Sequence, residues 1–123
     1  MAARQLTDPR RGLGTTGEEA VARWYEARGY VVASRNWRVR EGELDLVLRR
    51  GRTLVFCEVK TRRGDAFGTP FEAVTASKQR RLRTLAVRWL SEHRVRAREL
   101  RFDVAAVRMC GAVSEIEVLE GAF

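Results

Sequence analysis

Thr53-Leu54-Val55-Phe56-Cys57-Glu58-Val59-Lys60-Thr61 is an apolar, β-favouring run interrupted by one acid and one amine. Its apolar side chains fall on both faces of an extended chain. It therefore predicts a central strand covered on both sides. Glu58 and Lys60 stand two residues apart and project from the same face. Charges in such a setting are costly unless they are paired or bind metal. A second apolar run, Gly42-Glu43-Leu44-Asp45-Leu46-Val47-Leu48, carries Asp45. Arg49-Arg50-Gly51-Arg52 between the runs predicts a tight turn, so the two pair as a hairpin with Asp45 on the strand next to Glu58.

Outward from this hairpin the predicted order is α-β-β-β-α-β-β. Ala20, Val21, Trp24 and Ala27 recur at helical spacing after a Thr15 or Thr16 cap, with Glu18 and Glu19 in the first turn and Gly29 as the stop. Tyr30 to Ser34 reads as a strand, and Arg35 to Gly42 as a basic connection around Trp37. Arg62 to Thr75, with Gly64, Gly68 and Pro70, reads as a long loop of the kind that often carries function. Thr75 or Ser77 caps a second helix to about His93, whose Leu82, Leu85, Ala86, Trp89 and Leu90 form one stripe. Leu100 to Met109 and Val113 to Leu119 read as further strands. Residues 1–16 hold Pro, Gly and Arg with little apolar pattern and predict a basic arm, followed by one domain over 17–123. The fold class is α/β, a mixed central sheet flanked by helices.

With 123 residues the chain suits one hydrophobic core. Its net charge of +8 points to an anionic partner, nucleic acid before membrane. No apolar run approaches the ~18 residues of a membrane span, and no basic helix carries an aromatic apolar face. The N-terminus has charge but no apolar core of a signal peptide, so a cytoplasmic location is expected. Cys57 and Cys110 sit in apolar runs without a CxxC or Cys/His cluster and read as free buried thiols. The chain has two lysines, Lys60 and Lys78, against twenty-two arginines. An amine retained at position 60 can do what a guanidinium cannot, because its pKa shifts readily.

Two carboxylates on neighbouring strands, Asp45 and Glu58, can share a hard cation such as Mg²⁺ or Mn²⁺. Such a cation acidifies bound water and offsets charge building on a phosphate. Lys60 beside it could orient the water or stabilise that charge. Each part has a plainer reading. Glu58 and Lys60 could be a solvated pair on a sheet, and Asp45 could cap a turn or pair with an arginine. Their combination is what points to phosphodiester hydrolysis. Glu43 reads as solvated, and Asp103 as the partner of a buried arginine. Trp24, Trp37 and Trp89 read as packing residues.

Asp45, a twelve-residue spacer and Glu58-Val59-Lys60 resemble the motif of the PD-(D/E)xK nuclease superfamily, with Leu44 where the label has Pro. The wider chain resembles the YraN family of endonuclease-like bacterial proteins. The matching pieces are Gly17-Glu18-Glu19-Ala20, Gly29-Tyr30, Arg35-Asn36-Trp37-Arg38, Gly42-Glu43-Leu44-Asp45-Leu46, Leu54 to Arg62, Phe67-Gly68, Lys78-Gln79 and Arg101-Phe102-Asp103-Val104. The resemblance implies a restriction-endonuclease-like core. It implies metal ligation by Asp45 and Glu58, with the Val59 carbonyl, and a catalytic role for Lys60. In the similar archaeal Holliday junction resolvases a helix-one glutamate joins the site, and Glu18 is the matching position.

The expected activity is metal-dependent endonucleolytic cleavage, with DNA ahead of RNA and branched or junction structures ahead of sequence-specific sites. The groups Arg35-Arg38-Arg40, Arg49-Arg50-Arg52, Arg62-Arg63 and Lys78-Arg80-Arg81-Arg83 flank the site in sequence. Of these, Arg38, Arg62, Arg63, Lys78 and Arg81 are the expected phosphate contacts. A nucleic-acid-binding module without catalysis, and a scaffold for an acidic protein, are the alternatives. Junction cutting requires two active sites, which leaves a homodimer open.

Overall fold

Apolar residues on both faces place the Thr53 run at the centre of a five-stranded sheet. The computed structural model describes the backbone of residues 12–63, 74–110 and 113–123, with the side chains of all these except 12–16, 63, 110 and 113. Helix α1 (Gly12–Glu26) leads into strands β1 (Val31–Val39), β2 (Gly42–Arg50) and β3 (Thr53–Arg63). Helix α2 (Ala76–His93) and strands β4 (Glu99–Cys110) and β5 (Val113–Leu119) follow. The sheet order is β1-β2-β3-β4-β5, with β3 and β4 parallel and the other pairs antiparallel. A parallel pair requires a crossover, and α2 lies on it.

Each face of the sheet is closed by one helix. Val21, Ala22 and Tyr25 of α1 bury Leu46, Leu48, Val55, Cys57, Ala105 and Val107. Leu82, Leu85, Ala86 and Trp89 of α2 bury Leu44, Val47, Leu54, Phe56 and Phe102. The Thr75 hydroxyl accepts from the Lys78 N–H at 3.1 Å, which fixes the start of α2. At the other end Arg94 closes the helix in the left-handed conformation, φ 53°. Gly29, φ 89°, stops α1 as expected.

The boundaries of β1 and α1 differ from the sequence expectation. β1 runs through the supposed basic connection to Val39, pairing Trp37 with Leu44 and Arg38 with Glu43. Ladder bonds to β2 outweigh the weak strand preference of Ser34-Arg35-Asn36. α1 begins at Gly12, so Glu18 and Glu19 lie in its second turn and residues 12–16 of the predicted arm are helical. The rest of that arm, residues 1–11, and residues 64–73 of the predicted loop lie outside the described residues.

Two further contacts hold α1 against the sheet. A Cβ on Gly17 would stand 2.1 Å from the Thr61 hydroxyl, so only glycine allows this approach of helix to strand. Farther along, the Tyr25 hydroxyl donates to Asp103 Oδ2 at 2.6 Å. Asp103 is fully buried and also accepts from Arg101 Nε and Nη2 and from the Gly121 N–H. The arginine partner expected for Asp103 is present. The bond to Asp103 holds the Arg101 guanidinium well above its ordinary pKa.

Candidate active site

Strand β2 changes character at Asp45. Leu44 packs on the α2 side and Leu46 on the α1 side, although strict alternation would put both on one face. The β2–β3 ladder runs from Arg50 opposite Thr53 to Leu46 opposite Cys57, and Asp45 is the first residue beyond it. Its Oδ2 accepts from the Val59 N–H at 2.9 Å, taking the backbone donor that the strand has left. Backbone N–H and C=O of one strand residue point the same way. The Val59 carbonyl therefore faces the same gap.

Burial first, and then the nearby Glu58, push the Asp45 carboxyl up to about 7, with Glu18 and Glu43 adding to the rise. The Val59 N–H acts in the opposite sense. Glu18 comes from α1 and lies within electrostatic reach of Asp45. Its carboxyl is also raised, by burial and then by Glu43 and Glu58, against a hydrogen bond with Asn36 and the charge of Arg38. Asn36 is held at φ 49° on β1, a backbone region that Asn tolerates better than most residues.

Glu58 is 8% exposed and meets both lysines of the chain. Lys60 Nζ lies 3.3 Å from its Oε2, and Lys78 Nζ, from the first turn of α2, lies 2.6 Å from the same oxygen. Burial, then the neighbouring Lys78, lowers the Lys60 pKa. Burial acts on Lys78 in the same direction, but its bond to Glu58 and its contact with Lys60 outweigh it, and its pKa is raised. Two ammonium groups thus share one carboxylate, and Lys60 is the one more easily deprotonated.

Among the described residues no three His, Cys, Asp or Glu side chains are gathered tightly enough to form a metal site in this arrangement. The donor chemistry nonetheless fits a hard cation. Asp45 has one oxygen held by Val59 and the other without a hydrogen-bond donor among the described residues. Glu58 and Glu18 are close enough to raise its proton affinity, and a divalent ion would offset that repulsion. A void of about 10 Å³, roughly the room of one water, lies against Asp45, Glu58 and Phe56. A wider cleft of about 500 Å³ opens beside Glu18 and Asn36.

The expected phosphate contacts divide. Arg38 is largely exposed and pairs with Glu43 at 3.3 Å. Arg81 is exposed on α2. The Arg62 Nε is buried without a hydrogen-bond partner among the described residues, and the Arg63 side chain lies outside them. Lys78, the fifth expected contact, is bound to Glu58. Glu43 is half-buried, paired, and adds to the field on Glu18 and Asp45, which corrects its reading as solvated. Asn36 has no distinguishing sequence signal. For Lys78 the available signal is the rarity of lysine in the chain. Cys57 is a free buried thiol whose pKa burial drives up, while the Cys110 side chain lies outside the described set.

Among the described residues no helix is long and apolar enough to cross a membrane. The family model described as "Uncharacterised protein family UPF0102" matches residues 17–107. A UPF0102 protein of Beutenbergia cavernae is 56% identical over 110 residues, covering 89% of this chain and 93% of its own. One from Frankia alni is 53% identical over 113 residues, covering 90% and 93%. One from Rhodococcus opacus is 50% identical over 112 residues, covering 90% and 95%. The matched span begins at the glycine that seats α1 and includes Glu18, Asp45, Glu58, Lys60 and Lys78, so the whole candidate site falls within it, and the chain belongs to the UPF0102 family.

Proposed function

We propose that the protein is a metal-dependent endonuclease with a PD-(D/E)xK, restriction-endonuclease-like core. It cuts phosphodiester bonds in DNA and selects branched or junction structure over base sequence. The observation that carries this reading is Asp45, released from its ladder and held by the Val59 N–H, beside Glu58 and Lys60 and within the field of Glu18. A domain that only binds nucleic acid has little use for carboxylates placed where phosphates must come.

Asp45, Glu58 and Glu18, with the Val59 carbonyl, would hold Mg²⁺ or Mn²⁺. The bound ion supplies acidified water and neutralises charge on the phosphate. Lys60, with its lowered pKa, can exchange a proton with the attacking water or stabilise the developing charge. No base-reading motif is evident, so recognition rests on backbone and shape. Cleavage of duplex, flap, junction and single-stranded DNA, and of RNA, with Mg²⁺ or Mn²⁺ tests the reading. Glu58→Ala is expected to lose activity by roughly 10² to 10³. Equal trace activity in wild type and variant on every substrate sinks it.

One observation favours a binding module instead: Glu58 is engaged by two ammonium groups rather than gathered with the other acids. The two readings separate at Lys78. If a metal ion must displace the Lys78 ammonium from Glu58, Lys78→Met tightens Mn²⁺ binding about tenfold, worth about 1.4 kcal/mol. Calorimetry reads this directly. No Mn²⁺ heat from either protein, together with salt-sensitive DNA binding, selects the module.

A further inference from the structure

The arginines beside the site in sequence are not all beside it in space. The β2–β3 hairpin turns at Gly51, and Arg50 at the turn end of β2 stands five residues from Asp45, or roughly 17 Å at the strand rise. Both helices run from the site end toward this turn. α1 starts near Thr61, and its last turn leads to Arg28, whose carbonyl accepts from Arg50 Nη1. α2 starts at Lys78 on Glu58, and the segment after it returns to the turn, where the Arg98 and Glu99 N–H groups bond the Arg52 carbonyl.

The far end of the sheet therefore collects Arg28, Arg49, Arg50, Arg52, Arg94, Arg96 and Arg98, all exposed. Among the described residues none of the seven forms an ion pair with a carboxylate. Helix-end electrostatics explains part of the cluster, since cations suit helix C-termini and Arg28 Nη1 bonds the Trp24 carbonyl. It leaves Arg52, Arg96 and Arg98, whose side chains have no bonded partner among the described residues.

We infer that this arginine face binds a second stretch of nucleic-acid phosphate backbone, separate from the one at the carboxylates. The inference rests on the proposed nucleic-acid function and extends it from one point of attachment to two. Charge complementarity identifies the partner: a planar guanidinium pairs bidentately with phosphate, and a multivalent patch suits a polyanion. The two regions stand at opposite ends of the sheet, as two arms of a branched substrate would require.

The test measures binding of a labelled four-way junction in EDTA over a salt series, for wild type and Arg52→Gln/Arg96→Gln/Arg98→Gln. The logarithmic salt slope is expected to fall by about 0.9 for each phosphate no longer neutralised, so by roughly 2 to 3, with affinity at least tenfold weaker. If the triple variant fails to melt cooperatively, Arg96→Gln/Arg98→Gln is used, with an expected slope change of roughly 1 to 2. An unchanged slope beside normal wild-type binding overturns the inference and leaves the nuclease reading standing. Loss of affinity for polyglutamate with an unchanged DNA slope assigns the face to an acidic protein and also overturns it. Absence of any wild-type binding at low salt overturns both.

Discussion

Asp45→Asn is expected to stabilise the metal-free protein while removing its cleavage. Asp45 has its carboxyl pushed up to about 7, above its ordinary value of 3.8, by burial and by the Glu58, Glu18 and Glu43 carboxylates. The folded state therefore binds a proton more tightly than the unfolded state. The corresponding stability is fully present below the unfolded pKa and is lost as pH rises through the folded one. In EDTA, wild type is expected to lose roughly 2 to 4 kcal/mol between pH 4 and 8 from this group. Asn keeps an oxygen for the Val59 N–H and carries no charge, so the variant lacks that loss. Urea titrations at pH 5 and pH 8 check this, and parallel behaviour of the two proteins would exclude it. With the proposed metal site, saturating Mn²⁺ is expected to reverse the comparison, stabilising wild type at pH 8 in proportion to occupancy and doing little for the variant, which lacks the charged ligand. Cleavage by the variant is expected to fall by roughly 10³, in line with the removal of a several-kcal/mol contribution at the reacting phosphate. Such opposite movement of stability and activity is what a site built from mutually repelling carboxylates requires.

The hairpin that carries Asp45 and Glu58 is legible in the sequence because two-sided apolar runs and a glycine turn are local signals. The element order and the α2 stripe follow from the same kind of local periodicity, whereas α1 buries Val21, Ala22 and Tyr25 and leaves Ala27 of the predicted face exposed. Asp103 is also legible, since a lone acid in an apolar strand needs a cation and Arg101 stands two residues away on the same face. What the sequence hides has a common origin in contacts between distant segments. Local preference ends β1 at Ser34, because Arg35, Asn36 and Arg38 are poor strand residues. They are held extended by pairing with β2, which no local pattern reports. Arg49, Arg50 and Arg52 lie between the two strands of the site in sequence and so read as its neighbours. An antiparallel hairpin carries its turn away from residues at its open end, so proximity in sequence becomes distance in space. Lys78 lies twenty residues from Glu58, and only the path of α2 across the sheet brings it to that carboxylate. The break in β2 at Asp45 is hidden for another reason: the alternation in Leu44-Asp45-Leu46 is ordinary, and the two leucines part only when each packs against a different helix.

Asp103→Ala is expected to cost about 3 to 5 kcal/mol of folding stability, the range for breaking a buried ion pair by removing one partner. Asp103 is fully buried and receives four hydrogen bonds, two of them from the Arg101 guanidinium. Truncation would leave Arg101 with the Tyr30 hydroxyl and, at 3.7 Å, the mostly exposed Glu120, and would strand the Tyr25 hydroxyl inside the core. Tyr25→Phe removes one donor to a charged acceptor and leaves the arginine pair intact, so its cost is smaller, about 1.5 to 3 kcal/mol. Denaturant midpoints with unchanged slopes measure both, and a cost under about 1 kcal/mol for Asp103→Ala would show that the network carries little. The functional consequence runs through α1. Tyr25 lies two helical turns beyond Glu18, on the same face, so the bond that anchors Tyr25 also fixes the azimuth of Glu18 over the gap. Tyr25→Phe, folded and far from any phosphate, is therefore expected to weaken Mn²⁺ binding severalfold without changing DNA affinity in EDTA. An unaltered Mn²⁺ isotherm would mean that the close seating of Gly17 on Thr61 positions Glu18 without help from the Asp103 network.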